Sequence, residues 1–217
     1  KGSLTKLILE KNPYKLFVIE KDKTLEPYLK KIKNSFPQKV NMIFGDAVKI
    51  KIDKLSKKKI LLIANLPYNI ASTLIINWLE YINIFQSIIV MVQKEVAERL
   101  SASVSSKSYG RLSVLVQLHA EVKRKFDVNP EKFFPQPKVV STVIELVPKK
   151  KLDFNYEKLD ELLKLSFLQR RKTIKNNLKK LNKSIEMKLI KSGINPILRP
   201  QDIKPDEYIR LSDVLTH

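Results

Sequence analysis

The chain has 217 residues, 43% of them hydrophobic, enough to bury a core and to exclude wholesale disorder. Lys and Arg outnumber Asp and Glu by 42 to 22, and the resulting charge of +20 favours a polyanionic partner, nucleic acid or an acidic membrane surface. The absence of Cys excludes disulfides and thiolate-held zinc or iron–sulfur centres, and only His119 and His217 could offer an imidazole.

In chain order, LTKLILEK has helical spacing and KLFVIE is a short strand. TLEPYLKKIKNSF returns to a helix with Pro27 near its first turn, where a missing N–H does no harm. VNMIFGDA and KILLIANL predict strands, ASTLIINWLEY a helix, SIIVMVQ a strand and KEVAERL a helix. SVLVQLHAEV and STVIELVP, with no long helix between them, read as two late strands forming an antiparallel edge, with His119 in a satisfied structural role. The alternation predicts an α/β fold with a mostly parallel sheet covered on both faces. Past Pro148 the pattern turns helical. YEKLDELLKLSFLQRRKTIKNNLKKL places Leu163, Phe167, Ile174, Leu178 and Leu181 at helical steps, SIEMKLIKSG ends on Gly193, a good C-cap, and DEYIRLSDVL closes the chain. Residues 1–148 and 149–217 are therefore expected to be two domains, the second small and helical. No apolar run approaches the ~20 residues that span a bilayer and no secretory signal precedes the first strand, so a soluble intracellular protein without a membrane partner is expected.

Three successive strands finish in polar residues: Glu20, then Gly45-Asp46-Ala47, then Asn65. Singly, Glu20 is a solvated loop carboxylate and Asp46 a turn or helix-cap residue. In order at strand carboxyl ends, where doubly wound sheets bind ligands, they suit a nucleoside. A carboxylate such as Glu20 can accept from both ribose hydroxyls, Asp46 from an adenine amine, and Gly45 lets a base approach the backbone.

The NLPY of residues 65–68, together with MVQKEVAERL, YGRLSVLVQ, FFPQPKVVSTVIELVP and QRRKTIKNNL, resembles the ribosomal RNA adenine dimethyltransferase family, and within it the small-subunit (16S-type) branch, across nearly the whole chain. The resemblance implies a Rossmann-like class I methyltransferase sheet, S-adenosyl-L-methionine as methyl donor, and no metal. The activity implied is dimethylation of N6 on two adjacent adenines near the 3′ end of small-subunit rRNA in the immature 30S subunit, by a monomer in bacterial cytoplasm. It places Gly2, Glu20, Lys21, Asp46, Ala47 and Asn65 at the cofactor and Asn65, Leu66, Pro67 and Tyr68 at the reacting base. An adenine amine is a weak nucleophile because its lone pair is delocalised. Acceptors at the Asn65 side chain and the Leu66 carbonyl would hold N6 closer to tetrahedral, with Pro67 fixing the turn and Tyr68 offering an aromatic face.

The resemblance also sets Phe134 against the flipped adenine, with one of Phe133 and Phe134 expected to be buried. From Lys164 to Lys191 there are ten Lys and Arg against one acid, Glu186. Arg170, Arg171, Lys172, Lys175 and Lys179, with Arg111 in the YGRLS loop, are the candidate phosphate contacts; on one helix Arg171, Lys175 and Lys179 would share a face. The alternative for this run is a solvated helix face. Family members carry a glycine-rich loop after their first strand, preceded by a Gln-Asn-containing segment. Here only KGSLT matches, with Gly2 at the loop's end. A chain lacking that central strand is expected to bind cofactor poorly and to expose sheet edges, the parent protein being fully active. The competing functions are a non-catalytic ribosome-assembly or RNA-binding factor and a macrolide-resistance methyltransferase of 23S rRNA.

Overall fold

Gly2 turns the chain into helix α1 (Ser3–Glu10) with a φ of +80°, a left-handed conformation that favours glycine, and a Cβ there would come within 2.7 Å of the end of the Ile32 side chain. The computed structural model describes residues 2–150, 152–182 and 184–216. The chain divides between Lys58 and Lys59 into two compact units.

In the first unit, β1 (Leu16–Glu20), α2 (Glu26–Ser35) and β2 (Val40–Phe44) follow α1. Pro27 lies in the first turn of α2, as expected. β1 and β2 pair in parallel with Leu16 opposite Val40 and Glu20 opposite Phe44, so the two strands end level. Leu9, Leu29, Ile32 and Val40 form the core, with Leu16, Val18 and Met42 packed against it.

The second unit begins with β3 (Ile60–Asn65), α3 (Ala71–Leu79), β4 (Phe85–Gln93) and α4 (Lys94–Leu100). It continues through α5 (Arg111–His119), β5 (Ala120–Val128) and β6 (Ser141–Pro148). Its sheet runs β3-β4-β6-β5: β3 and β4 are parallel, and β6 is antiparallel to both neighbours. The reversed strand is thus an inner one, and β5 takes the edge. Phe85, Ile88, Ile144 and Leu146 of the sheet and Leu74, Ile75 and Leu115 of the helices are fully buried.

Two expectations need correction. SVLVQLHAEV is not one strand: its first part is helical in α5 and only Ala120 onward is β. Val114, Leu115, Val116 and Leu118 are all buried, and a run covered on every side carries no period that separates helix from strand. Gly110 and Ser113 start the helix, the Ser113 hydroxyl accepting from the Gly110 amide at 3.0 Å. Likewise the basic segment is not one helix. α6 (Tyr156–Ser166) gives way to turns from Phe167, and α7 (Ile174–Leu178) starts afresh behind Thr173, whose extended backbone and hydroxyl cap the Asn176 amide at 3.3 Å. Arg171 therefore lies outside the helix that carries Lys175. α8 (Ile185–Lys191) and α9 (Pro205–Thr216) complete the chain, with Gly193 at φ +75° closing α8 and the Ile194 amide reaching back to the Leu189 carbonyl. α6 and α9 pack on α5. Among the described residues no helix is long and apolar enough to cross a membrane.

Candidate active site

In the first unit the level ends of β1 and β2 set Glu20 beside Gly45-Asp46-Ala47, tied by the Gly45 amide bonding to the Glu20 carbonyl at 2.9 Å. Glu20 Oε1 accepts from the Lys21 and Asp22 amides, each at 2.8 Å. That bonding fixes the carboxylate by one oxygen. Lys21 Nζ pairs with Asp46 Oδ2 at 2.8 Å, and the Val48 amide donates to Asp46 Oδ1 at 3.0 Å. The Lys21 ammonium first, and the Val48 amide second, hold the Asp46 carboxyl below its ordinary range. Ala47 and Gly2 are half-buried.

In the second unit β3 stops on Asn65, opposite Met91 of β4. The next residue is the anchor: Leu66 is 5% exposed and its amide donates to the Met91 carbonyl at 3.2 Å. Asn65 and Pro67 on either side are exposed, and the Ile70 amide closes the turn onto the Pro67 carbonyl at 3.2 Å. Among the described residues no hydrogen bond falls on the Asn65 side chain or the Leu66 carbonyl. Both acceptors are open. Tyr68, half-buried, places its hydroxyl 2.7 Å from Ser141 Oγ at the start of β6.

The chain between β5 and β6 leaves the same end of this sheet, since Val128 pairs with Ser141 and Gln93, the last residue of β4, pairs with Ser141 from the other side. Phe134 on this loop is 102% exposed, and its peptide bond to Pro135 is cis. Phe133 is half-buried, so neither phenylalanine is fully enclosed. At the loop's base the Lys94 amide donates to the Val140 carbonyl at 3.0 Å, Thr142 Oγ1 donates to Asp127 Oδ1 at 2.8 Å, and Lys94 Nζ lies 3.1 Å from Asp127 Oδ2. Thr142 and then Lys94 hold the Asp127 carboxyl below its usual value.

The family model for "Ribosomal RNA adenine dimethylase" matches residues 1–217. The chain belongs to the ribosomal RNA adenine dimethylase family. A ribosomal RNA small subunit methyltransferase A from Ehrlichia chaffeensis is 41% identical over 99% of this chain and 82% of its own length. That from Wolbachia pipientis is 38% identical over 98% of this chain and 75% of its own length. The crystal structure of a dimethyladenosine transferase from Plasmodium falciparum matches with a TM-score of 0.78 and 26% identity, covering 97% of this chain and 84% of that one. The structure of 23S rRNA methyltransferase ErmE, at a TM-score of 0.71 and 18% identity over 100% of this chain and 88% of that one, shares the fold. The α/β Rossmann-like methyltransferase fold is thus the family's.

In this adenine dimethylase chain the six basic candidates divide by what they touch. Arg111 pairs with Asp160 of α6 at 2.7 Å through Nε. Arg170 donates to the carbonyls of Tyr109 and Lys107, the latter at 3.1 Å, and so ties the loop before α5 to the turns after α6. Lys175 pairs with Glu186 at 2.6 Å. Arg171, Lys172 and Lys179 are exposed.

Sequence reasoning passed over Ser141 and the Lys94–Asp127–Thr142 group. Ser141 lies inside FFPQPKVVSTVIELVP, where its strand position, not its residue type, was the visible signal. His119 Nδ1 donates to the Leu115 carbonyl at 2.7 Å and its ring meets Phe154 and Tyr156 edge-on, the structural role expected. His217 lies outside the described residues, among which no cluster of three His, Asp or Glu could hold a metal.

Proposed function

We propose that this chain transfers methyl groups from S-adenosyl-L-methionine to N6 of adenine in small-subunit rRNA, two on each of two adjacent adenines near the 3′ end, within the immature 30S subunit. The observation that carries the reading is the end of β3. An anchored Leu66 presents two open acceptors, the Asn65 side chain and its own carbonyl, beside an aromatic ring.

The residues fit the cofactor by their chemistry. Glu20 is an acceptor-only carboxylate held by backbone amides at one oxygen, suited to the paired hydroxyls of a ribose, and Asp46 suits an adenine amine once its lysine partner is exchanged. Lys21 and Ala47 directly follow the strand-end carboxylates Glu20 and Asp46, Gly2 caps the start of α1, and we assign all three to the cofactor side. When bound, the cofactor supplies a methyl group on an electron-poor sulfonium.

Asn65 Oδ1 and the Leu66 carbonyl accept hydrogen bonds from the two N6–H groups of the target base and direct its lone pair. Pro67 contributes no competing N–H, and Tyr68 packs on the ring. Phe134, wholly in solvent, is free to stack on an extruded base. Orientation and electrostatic placement carry the reaction, with no proton shuttle required before attack. Arg171, Lys172 and Lys179 serve phosphates in the helical 149–217 region, which we assign as the RNA-binding domain.

The test is methyl transfer to undermethylated small-subunit rRNA by the wild type and by Asn65→Ala. Transfer should fall about 10²–10³-fold in the variant while RNA affinity stays within about twofold. Equal behaviour of the two proteins in both assays would return the chain to the class of non-catalytic assembly factors.

A further inference from the structure

We propose that Ser141 is a positioning residue that decides how far methylation runs: by holding the Tyr68 hydroxyl it favours the second transfer, to a base that already carries one methyl group. The inference rests on the adenine N6 reading above.

Ser141 is completely buried, and its Oγ lies 2.7 Å from the Tyr68 hydroxyl. Its backbone is held from both sides, by Gln93 of β4 and Val128 of β5. Its neighbours are fixed as well, Val140 by the Lys94 amide and Thr142 by Asp127. Tyr68, by contrast, sits in a turn with exposed residues on both sides. A rigid strand therefore holds the outer end of a ring whose own backbone is less constrained. Stacking alone needs only the ring, which phenylalanine would supply. The hydroxyl bonded into β6 adds orientation.

The two transfers make different demands on that orientation. An unmodified adenine amine has two N–H groups, one for Asn65 Oδ1 and one for the Leu66 carbonyl. In the transfer, the N6 lone pair forms the new N–C bond as the methyl–sulfur bond breaks, the bonding pair leaves with sulfur, and one N6 proton passes to water. The monomethylated base has a single N–H left, so one acceptor loses its donor and nothing replaces it. The base is then placed by one hydrogen bond and by its packing on Tyr68. Loosening the ring weakens the second transfer more than the first.

Single-turnover transfer to undermethylated small-subunit rRNA, with N6-monomethyl- and N6,N6-dimethyladenosine counted after digestion, gives both rates. In Tyr68→Phe and in Ser141→Ala the ratio of the second rate to the first should fall about tenfold, and the double variant should be no worse than either. Ser141→Thr, which keeps the hydroxyl, should restore the ratio. A purely structural role would lower both rates together, and an unchanged ratio in Tyr68→Phe, which leaves the buried strand intact, overturns the proposal. A wild type that binds cofactor and RNA yet yields no methylated adenosine overturns instead the reading on which it rests.

Discussion

Arg111, the first residue of α5, donates through Nε to Asp160 in α6 at 2.7 Å, and the two side chains are only 32% and 13% exposed. Asp160 also receives Lys164 at 2.8 Å, so one carboxylate serves two cations. This pair and the Arg170 bonds to the loop before α5 join the helices that follow β6 to α5. Removing Asp160 leaves a partly desolvated guanidinium without a partner. Asp160→Ala and Arg111→Ala should each lower unfolding stability by about 1–2 kcal/mol, a buried-pair effect discounted for the solvent that reaches Arg111. Thermal denaturation checks this. The salt dependence of RNA binding should be unchanged in Arg111→Ala; a shallower slope would make the residue a phosphate contact.

Glu20 keeps one oxygen on two backbone amides. On the proposed cofactor reading, Glu20→Gln preserves shape and removes the charge that would strengthen acceptance from ribose hydroxyls. S-adenosylmethionine affinity should fall about tenfold or more by calorimetry, since hydrogen bonds to a charged acceptor contribute about 1.5–3 kcal/mol. The same titration on Asn65→Ala should show the smaller loss.

Arg171, Lys172 and Lys179 are exposed, and each neutralised phosphate contributes about 0.7 to the slope of log K against log salt on a single strand. The triple alanine variant should flatten that slope by about 2. Lys175→Ala should change it less, because Lys175 is already committed to Glu186. Filter binding across a salt series separates the two.

How far the sequence could be read depended on how local each signal was. Asn65, Pro67 and Tyr68 interrupt an apolar strand and are visible within four residues. Glu20 and Asp46 are visible because strand ends can be counted. Thr173 lies inside the run whose spacing suggests one continuous helix, yet its backbone is extended and it caps α7; in a run of Lys, Arg and Asn no apolar period marks the break. The Tyr68–Ser141 bond joins residues 73 positions apart, and the Arg111–Asp160 pair 49. Only the strand order, for the first pair, and the packing of α6 on α5, for the second, bring such groups together.

His119 gives a pH signature. Burial lowers its pKa from the ordinary 6.5, with the Leu115 carbonyl opposing the shift. The folded protein therefore binds fewer protons than the unfolded chain. Stability conferred by the neutral ring is complete above the unfolded pKa and is lost as pH falls below about 6.5 toward the folded value. Melting temperature followed from pH 7.5 to 5 should show a decline that is reduced in His119→Gln.

The free side of β5 has a bearing on self-association. As the edge of its sheet, β5 offers unpaired backbone groups, the template on which a second chain could add a strand. Its residues Glu121, Lys123, Arg124 and Lys125 are exposed and the pairing with β6 slips between Arg124 and Phe126. A strand docking there would have to align beside three clustered cations and follow an irregular register. Charge and bulge together protect this edge against edge-to-edge stacking.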